Sequence, residues 1–402
     1  MKKIKVLFRS GSLRMGGLER VLVEVLQNIN KTDLDIHLLI DDETEEDIFR
    51  KDIPLDIPYH FLKSNQFMKQ LELVRKEKNK SILSKLKYNL YMHKARKLCK
   101  LETLKYISQQ GPFNVLIDFD AGATRYMENI PIPHKIVWIH NSIPRLLKKE
   151  SKIKHFGKRL EKYTKIVAIC DDMKEELQHL YPNIAHKITR IYNPFNFDRI
   201  EELQQDTSSL TEEQKTLLKN EYCVMVSRLS CIQKDYNTLL KAFQKVKNKG
   251  ISDFLYIIGD GPDKEKIQKM IQNLNLEDSV FLLGLMKNPY VWMKHSKLLV
   301  HASKYEGFGL VLVEALTCGR MVISSDCPTG PREILNEESC GKLVPVGDDT
   351  TLADALISFL SDKTARQEKE EHVRSSRNRF HRDTIIREYE NLIFSVLGEE
   401  NI

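Results

Sequence analysis

Nowhere in its 402 residues does this chain run apolar for the ~18–20 positions that a membrane-crossing helix needs. Cysteine is scarce: seven residues, at positions 99, 170, 223, 231, 318, 327 and 340, an odd count without a C-x-x-C pair. That pattern speaks against a disulfide framework and a zinc site, and for reduced thiols filling the core. The dinucleotide fingerprint G-x-G-x-x-G is missing, and so is a P-loop with its Gly-Lys-Ser/Thr ending. Met1-Lys2-Lys3 leads into Ile4–Phe8, which reads as a short strand and not as a signal-peptide core, so the expected location is the cytoplasm.

What is present is length enough for two domains of roughly 150–200 residues, and a net charge of +7 that is spread unevenly. Residues 63–105 hold 13 Lys or Arg against 3 Glu, and residues 145–165 hold 9 against 2. The rest of the chain is therefore net acidic. Between 66 and 109 Leu71, Val74, Ile82, Leu83, Leu86, Leu90, Leu98, Leu101 and Leu104 alternate with lysine and arginine, as expected for one or two long amphipathic helices. Such a surface suits anionic lipid headgroups. Nucleic acid is the rival polyanion, but no nucleic-acid module is recognisable, and none is expected as a partner.

The two halves share one alternation of strand and helix. Residues 3–9, 34–40, 58–62, 114–120, 135–140, 166–169 and 187–192 read as strands in the first half. Residues 221–227, 253–258, 279–283, 298–302 and 321–324 do so in the second. Ser10 to Gly17 is a glycine-rich loop before the helical period that starts at Leu18; it suits either a closely approaching anion or a structural turn. Asp118 and Asp120, and His140-Asn141, stand at strand ends, where ligands bind in open α/β sheets. The fold class expected is α/β, two doubly wound Rossmann-like domains. Asn193-Pro194 breaks the pattern and marks the boundary.

The chemistry concentrates in the second half. In His301-Ala302-Ser303-Lys304-Tyr305-Glu306-Gly307-Phe308-Gly309-Leu310 a glycine turn separates a strand from a helix that carries Glu314. Backbone N–H groups at such a junction favour an anion, whereas Glu306 and Glu314, expected to face outward, would accept hydrogen bonds from hydroxyls. Hydroxyls beside phosphate suggest a nucleotide sugar. Arg228 and Lys234, past the strand 221–227, would neutralise a diphosphate and stabilise it as a leaving group.

With these residues in view, the chain resembles a family 4 retaining glycosyltransferase of the GT-B fold, nearly end to end. The resemblance rests on Gly16-Gly17-Leu18-Glu19-Arg20-Val21, Trp138-Ile139-His140-Asn141, Tyr192-Asn193-Pro194, Val226-Ser227-Arg228-Leu229 and Gln233-Lys234-Asp235. It continues in Ile258-Gly259-Asp260-Gly261-Pro262 and Glu306-Gly307-Phe308-Gly309-Leu310 with Glu314. It implies an acceptor-binding domain at 1–193, a nucleotide-sugar-binding domain at 194–378 facing it across a cleft, and a C-terminal helix at 379–402 crossing back to the first domain. It further implies that Arg228, Lys234, Leu310, Val311 and Gly17 hold the diphosphate, and that Glu306, Gly307, Phe308 and Gly309 meet the donor sugar. Glu314 would bind the ribose, with the base near Leu285 and Met286. Glu306 and His140 are the catalytic candidates, His140 either acting or positioning the sugar.

The activity implied is transfer of a hexose or N-acetylhexosamine from a UDP-sugar, with retention, to a membrane glycan or lipid-linked acceptor in capsule or lipopolysaccharide assembly. No metal or cofactor is expected, and no Asp-x-Asp stands in the donor cleft. The anionic membrane surface would be met through residues 66–109 and 145–165, at the inner face of the cytoplasmic membrane. A sugar-nucleotide epimerase on the same fold, or a non-catalytic membrane-docked scaffold, are the alternatives. Thr329-Gly330-Pro331-Arg332-Glu333 departs from the family's usual pattern of two glycines and a small residue before Pro-Glu.

Overall fold

The computed structural model describes residues 3–398. Contacts divide the chain into two compact units, one running to Phe195 and resuming at Asp383, the other Asn196–Arg382. The division falls two residues beyond the boundary expected from Asn193-Pro194, and the last helix, Arg382–Gly398, groups with the first unit. Its Tyr389 ring stacks on Trp138 with centroids 4.7 Å apart, and its Ile385, Ile386 and Ile393 are buried.

In the first unit seven strands form one parallel sheet: β1 (Ile4–Ser10), β2 (Leu34–Asp42), β3 (Tyr59–Lys63), β4 (Val115–Asp118), β5 (His134–Ile139), β6 (Lys165–Ala168) and β7 (Ile188–Arg190). Their order is β3-β2-β1-β4-β5-β6-β7. The second unit has six: β8 (Tyr222–Val226), β9 (Phe254–Ile258), β10 (Val280–Gly284), β11 (Leu299–His301), β12 (Val322–Ser325) and β13 (Gly341–Val344), ordered β10-β9-β8-β11-β12-β13, again parallel. The apolar runs suit strands covered on both faces: Val6, Leu7 and Phe8 in β1, and Leu255, Tyr256 and Ile257 in β9, are fully buried.

Each order reverses at one place, between β1 and β4 in the first sheet and between β8 and β11 in the second. A crevice opens outside the carboxyl ends of the strands at such a switch point. The loops leaving β8 and β11 hold Arg228, Lys234 and Glu306. The edge strand β13, only four residues long with a central lysine, was not among the strands expected from sequence. Residues 65–110 form two helices, α2 (Asn65–Glu77) and α3 (Ile82–Gln110), capped by the hydroxyls of Ser64 and Ser81.

Candidate functional site

The loop after β8 is braced by the turn after β9. A Cβ on Gly259, whose φ is +141°, would lie 1.9 Å from the carbonyl oxygen of Ser227, and one on Gly261 would lie 2.4 Å from that of Leu229. The Leu229 amide donates to the Asp260 carbonyl at 3.0 Å and the Asp263 amide to the Leu229 carbonyl at 3.1 Å. The Gly-Asp-Gly-Pro motif is therefore a close backbone seat for the segment that presents Arg228. The Arg228 side chain is exposed, and no hydrogen bond or ion pair holds its guanidinium among the described residues.

Beyond Arg228 the loop pairs with the segment after β11. Lys234 and Ser303 form an antiparallel bridge, with Asp235 N donating to Ala302 O and Lys304 N to Gln233 O, each at 2.9 Å. Residues some seventy positions apart thereby meet. Glu306 Oε1 accepts from the Lys234 ammonium, from Ser303 Oγ at 2.6 Å and from His301 Nε2 at 2.9 Å, while Oε2 accepts from the Gln233 amide at 3.2 Å. Burial alone would push the Glu306 carboxyl up, but the charge of Lys234 and the His301 hydrogen bond outweigh it and hold the group well below the usual carboxylate range. Burial and the same lysine push His301 down, so its imidazole is neutral.

One expectation is corrected here. Glu306 and Glu314 do not face outward: their exposures are 6% and 7%. Lys234 is likewise buried, and it pairs with Glu306. The pair is neutral as a unit, while Arg228 and Lys304 on the same loops are exposed cations. His301, Ser303 and Gln233 stand in the quoted motifs without a role of their own; their contact with Glu306 gives them one.

Gly309, with φ +96°, turns the chain into the helix Leu310–Thr317, whose first amides, Leu310 and Val311, are without intrahelical partners as at any helix start. The turn Gly307–Gly309 is backed by residues 329–331. A Cβ on Gly330, at φ +101°, would stand 1.9 Å from the Phe308 carbonyl oxygen, and the Thr329 hydroxyl donates to the Glu306 carbonyl. Thr329 itself has φ +67°, a costly conformation for a β-branched residue. One turn into the helix, Glu314 accepts from the Tyr290 hydroxyl at 3.4 Å. Leu285 is 57% exposed, and the sulfur of Met286 lies 3.7 Å from the Gln214 amide.

In the first unit, Gly17 begins the helix α1 (Gly17–Asn28) and is exposed, while Glu19 folds back to accept from Ser12 Oγ at 2.7 Å. At the end of β4, Asp118 is fully buried. It accepts from Arg9 at 3.1 Å and from the Tyr163 hydroxyl at 2.7 Å. Asp120 also pairs with Arg9 but keeps 20% of its side chain exposed. His140 Nε2, past β5, is buried without a hydrogen-bond partner. Burial pulls the His140 imidazole down to about 4, against the opposing charge of Asp120 and a hydrogen bond to the Phe119 backbone. The ring is thus a neutral hydrogen-bonding group at pH 7. No three His, Cys, Asp or Glu converge as metal ligands among the described residues.

Comparison with known proteins follows the same lines. Residues 208–378 match the family described as glycosyl transferases group 1. An uncharacterized glycosyltransferase of Methanocaldococcus jannaschii, MJ1059, is 34% identical over 179 residues, 44% of this chain and 43% of that one, so the match spans less than half of that relative. The N-acetylgalactosamine-N,N'-diacetylbacillosaminyl-diphospho-undecaprenol 4-alpha-N-acetylgalactosaminyltransferase of Campylobacter jejuni is 26% identical over 94% of this chain and 96% of its own. Among solved structures, Alr3699/HepE of Anabaena in complex with UDP-glucose superposes with a TM-score of 0.75 at 18% identity, over 98% of this chain and all of that one.

Proposed function

From the fold and the match of residues 208–378 to the group 1 glycosyl transferases we propose that this chain moves a hexose or N-acetylhexosamine from a UDP-sugar, with retention of anomeric configuration, to a membrane-associated glycan or lipid-linked acceptor. The observation that carries the proposal is the edge formed by β8 and β11, where an exposed, unpaired Arg228 stands on the same strand ends as the Lys234–Glu306 pair and the Gly307–Gly309 turn. Full-length similarity to a transferase whose name specifies a diphospho-undecaprenol acceptor supports a lipid-linked acceptor.

In this mechanism Arg228 and the amides of Leu310 and Val311 bind the diphosphate, Glu314 takes the ribose hydroxyls, and the exposed Leu285 with Met286 meets the base. Lys234 has three N–H bonds, of which Glu306 engages one, so its ammonium serves both the carboxylate and a phosphate oxygen. Glu306 orders Lys234 and keeps Oε2 for a donor-sugar hydroxyl. As the bond from C1 of the sugar to the diphosphate oxygen breaks, negative charge grows on that oxygen, and fixed cations stabilise it more than the ground state. The acceptor hydroxyl bonds to C1 from the same face and gives its proton to the departing phosphate, so no protein base is required. The basic segments 66–109 and 145–165 keep the enzyme on an anionic membrane surface, at the cytoplasmic face.

A melting-temperature screen of nucleoside diphosphate sugars tests the donor assignment. A UDP-sugar at about 100 times its Kd would add roughly 2.7 kcal/mol of stability, and Arg228→Ala would lose most of it at the same concentration. Absence of stabilisation by every nucleotide sugar would exclude the donor site.

A further inference from the structure

α3 has two apolar faces, and only one of them is covered. Ala95, Cys99, Thr103, Tyr106 and Ile107 are buried against the first unit. On the opposite side of the same helix, Ile82, Leu83, Leu86 and Leu90 follow one another at helical spacing and are 80%, 77%, 54% and 70% exposed, and Leu101 continues the line at 50%. Solvent-facing leucine is ordinary singly; four large aliphatic side chains along about 12 Å of one helix face are not.

The charge around this stripe specifies its occupant. From Lys78 to Leu101 the sequence has eight lysines and arginines and no acidic residue. The second basic segment adjoins it, since the Arg125 guanidinium is pushed down by burial and by the charges of both Arg96 on α3 and Arg159 on the helix Glu150–Leu160. A second copy of this face would set two strongly positive surfaces against each other, and an ordinary apolar protein groove would leave the lysines unpaired. An anionic lipid surface satisfies both: phosphates meet the lysines while the aliphatic side chains enter the acyl boundary beneath the headgroups.

We infer that the stripe Ile82–Leu83–Leu86–Leu90 is a membrane-inserting wedge, lying in the interface of an anionic bilayer with the α3 lysines at headgroup level. This rests on the membrane reading proposed above and deepens it, because charge alone would hold the protein on the surface without penetration. Insertion adds a salt-resistant component to binding and fixes which face of the first unit meets the bilayer.

The test uses the full chain, vesicles of phosphatidylglycerol with phosphatidylcholine, and vesicles of phosphatidylcholine alone. Leu83→Gln/Leu86→Gln/Leu90→Gln is expected to partition to the anionic vesicles at least about tenfold more weakly than the parent, with a melting temperature little changed because these side chains are mostly exposed. A Leu86→Trp variant, whose own tryptophans at 138 and 292 are fully buried, is expected to show a blue shift and quenching by brominated lipid. Undiminished binding of the triple variant, or no quenching while the parent still binds in a salt-sensitive way, overturns insertion and leaves charge-driven attachment standing. No binding of the parent to either vesicle overturns both. A parent dimer that the triple variant dissolves also overturns the proposal, by assigning the stripe to a second copy.

Discussion

Glu306 and Glu314 are both visible in the sequence as carboxylates around a glycine turn, but spacing does not reveal their state. The antiparallel bridge between Lys234 and Ser303 turns Glu306 from an exposed hydroxyl acceptor into the hub of a buried cluster, and that bridge joins positions with no local relation in sequence. His301 stands in the same motif, but the role of its ring shows only through its contact with Glu306. His140 is the opposite case, legible from its place at the end of β5. Its buried state gives a pH dependence whose sign follows from linkage. The unfolded chain protonates this imidazole near 6.5, the folded one only near 4. Between those values only the unfolded state takes up the proton, so stability is whole above pH 6.5 and falls toward pH 4, by about 3 kcal/mol at most. Urea unfolding at pH 7 and pH 5 is expected to show a drop in the parent that His140→Gln reduces; equal drops in both would remove His140 as the cause.

Among the elements, the strands were the easiest to foresee. β1, β5, β8 and β9 are runs of Ile, Val, Leu and aromatic residues long enough to stand apart from helix periodicity, and each appears within two residues of its expected place. β13 escaped because four residues at a sheet edge carry too little pattern. The turns were legible as glycine clusters, but their purpose was not: Gly259, Gly261 and Gly330 are needed for backbone contact between loops distant in sequence, more than for reach toward a ligand. Gly330→Ala is expected to cost more than about 2 kcal/mol, since its Cβ would overlap the Phe308 carbonyl and its φ is positive. Gly250→Ala, also at positive φ but facing open space, is expected to cost only about 1–2 kcal/mol. Equal unfolding midpoints for the two variants would refute the packing account.

For the whole molecule, the doubled strand order is what makes one half a donor unit in this account and leaves the other free to specialise. The uneven charge follows that division, with the basic excess gathered in α2, α3 and residues 145–165 of the first unit, while the remainder of the chain is net acidic. Both the doubling and the charge excess could be read from sequence. The acceptor could not, because its choice turns on a few hydroxyl contacts in the first unit that no motif encodes. The central claim is transfer from a UDP-sugar at the β8–β11 edge, and its most direct measurement is UDP release with and without a lipid-linked diphosphate sugar, with the product's anomeric coupling read by NMR. The account predicts release that depends on the acceptor, an anomeric configuration unchanged from the donor, and a rate lowered about 100-fold or more in Arg228→Ala. Conversion of the donor to an isomer without acceptor, an inverted product, or full activity in that variant would contradict it.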